Sequence, residues 1–115
     1  MKKSPVSRAT SPHYAWGEAC DGWRLVDGAG LSVIEERVPP GASERRHSHR
    51  LARQFFYVLE GEASLEVEGT EHVLTKGRGL EVEPGGRHRF TNRSAADVVF
   101  LVISAPTTKG DRVEE

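Results

Sequence analysis

His47 and His49 stand one residue apart, Gln54 follows five residues after the second, and His88 comes about forty residues later. On a β-strand, side chains at i and i+2 point to the same face, so a His-x-His pair presents two imidazoles side by side. Neutral imidazole is the commonest protein ligand for zinc, iron, copper and nickel. A third histidine from a neighbouring strand would close one face of a coordination sphere and leave the other open to a ligand. The pattern points to a metal site rather than to a plain β domain.

The elements that must position these groups read as strands. Trp23 to Val26 and Leu31 to Val38 flank the turn-like Asp27-Gly28-Ala29-Gly30, and Pro39-Pro40-Gly41 ends the second run. Phe55 to Leu59 is an apolar run of a buried strand. Ala63, Leu65 and Val67 alternate with Ser64, Glu66 and Glu68, as a strand with one wet face does. Gly69-Thr70 is expected to turn this strand into His72 to Leu74. Leu80 to Val82, His88 to Thr91 and Val98 to Ile103 complete the set. No stretch keeps a 3.6-residue apolar period for three turns, so no helix is expected. Many short strands with Gly and Pro between them indicate a sandwich or barrel.

Length and charge bound the rest. The chain has 115 residues, enough for one domain with a modest core. Sixteen basic against 17 acidic residues leave almost no net charge, which argues against a nucleic-acid partner. Arginines do gather at 45, 46, 50 and 53 and again at 87, 89 and 93. They read as solvated strand edges, with a polyanion site or the steering of a small anion as the alternatives. The single cysteine, Cys20, excludes an intrachain disulfide and suits a reducing cytoplasm, where it reads as a small buried hydrophobe. Met1 to Pro12 lacks the apolar stretch of a signal peptide, and no run approaches a membrane span, so no membrane partner is expected. Residues 1–12 read as a flexible arm, 13–106 as the single barrel and 107–115 as a loose tail.

The residues around the histidines resemble the two motifs of the cupin family of small β-barrels. Gly41 is followed by five residues, then His47-Ser48-His49, four residues, Gln54, six residues and Gly61. Gly77 is followed by five residues, then Glu83-Pro84-Gly85, two residues, His88, three residues and Asn92. Fifteen residues separate the motifs, as in the short microbial single-domain members. The resemblance implies an all-β double-stranded β-helix, or jelly-roll barrel, of six to eight strands. It also implies a metal held by His47, His49, His88 and the residue at position 54, and pairing of the barrels as a homodimer. Two positions depart from the pattern. The family's glutamate is Gln54 here, and its first proline is Glu83, with Pro84 one place along. The second change keeps the turn chemistry, although Glu83 could instead reach the barrel mouth. The first replaces a charged ligand by a neutral amide. Three imidazoles and an amide leave a divalent ion its full charge, which raises Lewis acidity and favours an anionic substrate. Gln54 would be a weak fourth ligand or a group that orients bound water. Fe, Mn, Ni, Co, Cu and Zn all fit such ligands, and Ca does not.

Strand parity extends the site. With Gln54 inward, Phe56 and Val58 face in and Tyr57 faces out. His88 inward carries Phe90 with it, and Leu80 and Val82 also face in. Phe56, Val58, Val82 and Phe90 are thus the expected apolar pocket. The strand at 31–38 offers either Glu36 or the Glu35 and Arg37 pair to that pocket. Trp16 and Trp23 read as a lid, an interface or core packing, and His13 and His72 as surface or packing residues. Asn92 is expected to satisfy backbone groups at a strand end, and Ser48 to face away from the ligands.

No nucleophile motif, phosphate loop or dinucleotide fingerprint is present, so chemistry is expected to run through the metal. The leading expectation is a metal-dependent enzyme acting on a small oxygen-bearing, possibly anionic substrate. Dioxygenase-like chemistry is placed first by fold-level analogy, with isomerase, lyase or decarboxylase chemistry beside it. The alternatives are a non-catalytic module that binds a sugar or small metabolite, and a structural barrel without metal.

Overall fold

The computed structural model describes residues 3–115. Eleven antiparallel strands form two sheets: β1 (His13–Trp16), β2 (Cys20–Asp27), β3 (Ser32–Val38), β4 (His47–His49), β5 (Arg53–Glu60), β6 (Glu62–Val67), β7 (Thr70–Thr75), β8 (Gly79–Val82), β9 (His88–Thr91), β10 (Val98–Ala105) and β11 (Arg112–Glu114). One sheet runs β1-β2-β3-β10-β5-β8 and the other β11-β4-β9-β6-β7. This is the all-β jelly-roll barrel that the motifs imply. The strand count exceeds the expected six to eight because β1, β4 and β11 are three or four residues long, too short to show a period. Among the described residues the only helical element is a 3-10 turn at Arg8–Thr10, and no helix is long and apolar enough to cross a membrane.

The core lies between the sheets. Phe90 and Phe100, one from each sheet, stack with centroids 4.0 Å apart, and Phe56 packs beside both. Val38, Val58, Ala63, Leu65 and Val98 close the interior with no solvent exposure. Parity holds along β5: Gln54, Phe56 and Val58 are buried, and Phe55 and Tyr57 point away. It also resolves β3. Glu36 faces inward, while Arg37 binds Asp21, Asp97 and the Ala19 carbonyl outside, and Glu35 meets Arg8.

Two corners carry the chain between strands. Gly61 joins β5 to β6 and moves the chain from one sheet to the other at φ +82°, where an added Cβ would overlap the Asp97 carbonyl oxygen. The β6–β7 hairpin turns on Glu68-Gly69, both at positive φ, and Thr70 already pairs with Val67. The expected Gly69-Thr70 turn is displaced by one residue because a two-residue hairpin loop needs left-handed backbone at both positions.

The termini are also more ordered than their composition suggests. Within the arm expected at 1–12, Arg8 lies 4.7 Å over the Trp23 ring, and Met1 and Lys2 fall outside the described residues. Residues 107–115, read from composition as a loose tail, instead supply β11, which pairs with β4. Asp111 fixes this segment, because its carboxylate accepts the backbone N–H groups of Arg50, Leu51 and Ala52. Polar composition concealed the tail because its binding energy comes from hydrogen bonds rather than from an apolar face.

Gly61→Ala is expected to lower unfolding free energy by about 2 kcal/mol or more, from left-handed strain plus the overlap. Urea denaturation checks it, and a change below about 0.5 kcal/mol, the range of neutral surface substitutions, would contradict this account of the corner.

Candidate metal centre

The triad is a product of register. His47 on β4 is the direct cross-strand partner of His88 on β9, and His49 follows two residues along the same face. The ring centroids lie 4.4 Å apart for His47 and His88, 5.0 Å for His47 and His49, and 6.0 Å for His49 and His88. All three rings are buried, and one potential ligand atom from each falls within 4.8 Å of the others.

Backbone carbonyls set two of the tautomers. Nδ1 of His47 donates to the Arg45 carbonyl at 2.7 Å, and Nδ1 of His88 donates to the Gly86 carbonyl at 2.9 Å. A carbonyl can only accept, so each proton sits on Nδ1 and each Nε2 keeps its lone pair. Ligating imidazoles are oriented in this way by their second nitrogen. Nε2 of His88, Nδ1 of His49 and Oε1 of Gln54 are buried with no hydrogen-bond partner. Buried polar atoms normally find a partner. A triad with two orphaned nitrogens, beside an orphaned amide oxygen, is a donor set compatible with a transition-metal ion, so the residues fit the ion that the sequence implies.

Gln54 stands beside the triad on β5, in the opposite sheet. Its amide nitrogen donates to Ser104 Oγ at 3.2 Å, which leaves the oxygen as the free end. Burial holds all three histidines below the ordinary imidazole range, His47 and His49 down to about 4. They are therefore neutral and ready to ligate at physiological pH.

His47 and His49 open on a cavity of about 290 Å³, near the small end of the range for small-molecule sites. Trp16, Ile34, Phe56 and Val102 supply its apolar wall, and Tyr14, Arg24, Glu36, Glu44, Lys109 and Arg112 its polar lining. Of the four expected pocket residues, Phe56 lines this cavity. Val58, Val82 and Phe90 face inward as parity requires, but they are 0–2% exposed and lie in the core behind it. Parity gives the side of a sheet and not access to the cavity: Val82 is the register partner of Gln54 yet stays buried, and Val58 and Phe90 lie further along their strands from Gln54 and His88. Glu83 stays outside, 3.8 Å from Arg53. Asn92 caps backbone groups, donating to the Val38 and Ala96 carbonyls.

Several cavity residues escaped sequence reading, Ser104 and Lys109 among them. Tyr14 and Arg24 belong to β1 and β2, outside both motifs, and Arg112 to the tail. Glu44 lies within the first motif at a position the motif leaves open. Its carboxylate accepts the Phe90 N–H at 3.0 Å, and burial followed by the nearby charge of Glu36 pushes it up to about 8. Arg112 is the register partner of His49, the one signal that could have placed it had the tail been read as a strand.

The fold is that of a small jelly-roll barrel with histidines at its mouth, and known proteins of the same fold resemble it. The cupin-domain family model matches residues 34–104, and the chain belongs to this family. Among curated relatives, the tetracenomycin polyketide synthase protein TcmJ of Streptomyces glaucescens is 37% identical over 67 residues, covering 56% of this chain and 45% of its own length. The β-alanine degradation protein BauB of Pseudomonas aeruginosa is 36% identical over 78 residues, covering 66% of this chain and 82% of its own. The structure of KdgF from Halomonas sp. superposes with a TM-score of 0.84 at 17% identity, covering 93% of this chain and 98% of that one, which speaks for the fold alone. This chain thus spans under half the length of TcmJ and most of BauB.

The metal-free protein should keep His47 and His49 neutral at pH 5.5, with their ring resonances titrating near 4. A lowered pKa means that protonation favours the unfolded chain. The stability these rings contribute is complete above pH 6.5 and is lost as pH falls through about 4. Histidine NMR checks this, and rings titrating at the ordinary value of about 6.5 would contradict it.

Proposed function

We propose that the protein is a metal-dependent cupin enzyme that acts on a small oxygen-bearing, anionic compound. The observation that carries this reading is the set of unpartnered donor atoms on His49, His88 and Gln54, with His49 and Gln54 lining one cavity and His88 grouped with His49 behind it. His47, His49 and His88 would hold a divalent ion of the Fe, Mn, Ni, Co, Cu or Zn group, with Gln54 as a neutral fourth donor. When bound, such an ion supplies Lewis acidity, and oxygen chemistry if it is redox-active.

The chain's own residues narrow what can enter. The volume admits a compact metabolite. Arg24, Lys109 and Arg112 line the cavity with positive charge and attract an anion. Phe56, Val102 and Ile34 exclude water from one wall. Ser104 Oγ accepts a hydrogen bond from the Gln54 amide nitrogen and leaves the amide oxygen as the free end. Isomerase or lyase chemistry and dioxygenase-like chemistry both suit this arrangement. The same reading takes the protein as a cytoplasmic homodimer. The buried lone thiol of Cys20 supports the compartment, and the exposed groove of Phe55, Ile103 and Ala105 on the outer face of the larger sheet supports the pairing.

Protein purified without chelators is expected to carry near-stoichiometric metal by elemental analysis. A His47→Ala/His49→Ala variant with unchanged circular dichroism is expected to carry none. Wild-type protein that holds no metal even after reconstitution would overturn the proposal.

A further inference from the structure

Tyr14, Gly22 and Glu36 are successive register partners across β1, β2 and β3. The Tyr14 ring lies over Gly22, and its hydroxyl donates to Glu36 Oε2 at 2.9 Å. A Cβ at position 22 would fall inside that ring. Glycine inside a strand weakens it and commonly marks a close approach. Here the missing side chain is what lets a phenol from one strand reach a carboxylate two strands away. Arg24, two residues along β2, stacks its guanidinium 4.6 Å over the same ring. Four residues on three strands thus hold one carboxylate in the cavity that the histidines head. The only hydrogen bond to the Glu36 carboxylate among the described residues is the one from Tyr14, and no salt bridge reaches it. The other cavity carboxylate, Glu44, is committed to the Phe90 backbone.

We propose that Glu36 is the proton-transfer residue of this cavity, positioned by Tyr14 across Gly22, and that the ligand is a small carbonyl compound with a C–H beside the carbonyl, such as a hydroxyketone or 2-oxo acid. This deepens the metal-centred reading of the cavity and rests on it. The Glu36 carboxylate takes the proton from carbon. The C–H electron pair becomes the double bond of an enolate, and the carbonyl π pair moves to its oxygen. Return of the proton to the same carbon restores both partners, and return to the neighbouring carbon of an enediol, with the hydroxyl proton passing to the former carbonyl oxygen, completes an isomerisation; either way the carboxylate is restored. The balance needs no oxidant or reductant, so the reaction is an isomerisation or another enolate reaction.

The surroundings tune the residue for this work. Burial pushes Glu36 up to about 7, against the hydrogen bond from Tyr14 and the positive charges of Arg112 and Arg24. A group that titrates near working pH both accepts and returns protons efficiently. Facing it are Tyr14 from β1, Arg24 and the neutral thiol of Cys20 from β2, Glu44 from the segment before β4, and Arg112 from β11; its β10 partner is the apolar Phe100. Burial, then the Glu36 charge, holds the Tyr14 phenol far above its usual range, so it stays a donor.

The test uses the full chain reconstituted with zinc, in deuterated water, with dihydroxyacetone and pyruvate as probes and proton NMR to follow loss of C–H signal. The wild type should wash deuterium into at least one probe faster than zinc alone. Glu36→Gln keeps the acceptor for Tyr14 but cannot take a proton, and should lower that rate roughly 100-fold or more. In metal-free protein with carbon-13-labelled glutamate, the Glu36 carboxyl should titrate near 7 and move upward in Tyr14→Phe, as the hydrogen bond to its charged form is lost. Wash-in by Glu36→Gln at the wild-type rate, no wash-in by zinc-loaded wild type, or a Glu36 carboxyl that titrates with the surface glutamates would each overturn the proposal. Zinc content is measured for every sample. Wild type that takes up no zinc overturns the metal reading and, with it, the proton-transfer role that rests on it, whereas zinc-loaded wild type without wash-in overturns the role of Glu36 alone.

Discussion

The pairing of β4 with β9 is the constraint on which the site depends. It sets His47 directly opposite His88, and parity along β4 adds His49. A slip of one residue would turn the paired imidazole away and present Ser48 or Arg89 instead. The register is held from both sides, since β9 also pairs with β6 through residues 64–67 and β4 with β11. Three buried imidazoles offer little packing energy for the polar surface they desolvate. They are tolerated because carbonyls of Arg45 and Gly86 satisfy two of the rings and because an ion would satisfy what is left.

The second support is the C-terminal segment. The Asp111 carboxylate gathers three backbone amides at the start of the β4–β5 connection, and β11 then runs beside the histidine strand. This converts a short three-residue strand into the middle of a sheet and brings Arg112 to the cavity beside His49. The same geometry mixes charges at the mouth. Arg24, Lys109 and Arg112 stand near Glu36 and Glu44, so the cavity can draw in an anion and still keep a carboxylate for proton transfer. Most of the clustered arginines on the outside are matched by acids, as in the pairs of Arg46 with Glu66 and Arg87 with Glu68. That matching offsets much of the positive charge that their clustering brings.

Much of the site was legible because its logic is local. The His-x-His spacing, the alternation on β5 and the Gly-bounded motifs each depend on residues a few positions apart, and Gln54, Phe56 and His88 lie where those patterns put them. What escaped depends on pairing between distant strands. Tyr14 reaches Glu36 only because β1 and β3 both flank β2, and whether Glu36 or Glu35 faced the metal could not be decided from a strand with charges on both faces. Val58, Val82 and Phe90 lie on the face that parity gives them, but they belong to the buried core and do not line the cavity. Asp111 and Arg112 sit in a polar tail whose order comes from hydrogen bonds to the β4–β5 connection, a signal that composition does not carry.

The central claim is that the three imidazoles, with protons fixed on Nδ1 of His47 and His88, form one metal centre. Proton NMR of the protein titrated with cobalt(II) tests it most directly, because the ion shifts only the rings that bind it. The account requires hyperfine-shifted resonances from His47, His49 and His88 together at one equivalent. The Nδ1 protons of His47 and His88 should be visible among them and slow to exchange, since backbone carbonyls hold them. Cobalt that leaves these rings unshifted, or that shifts only His13 or His72, would contradict the account and reduce the triad to a polar flaw in the barrel.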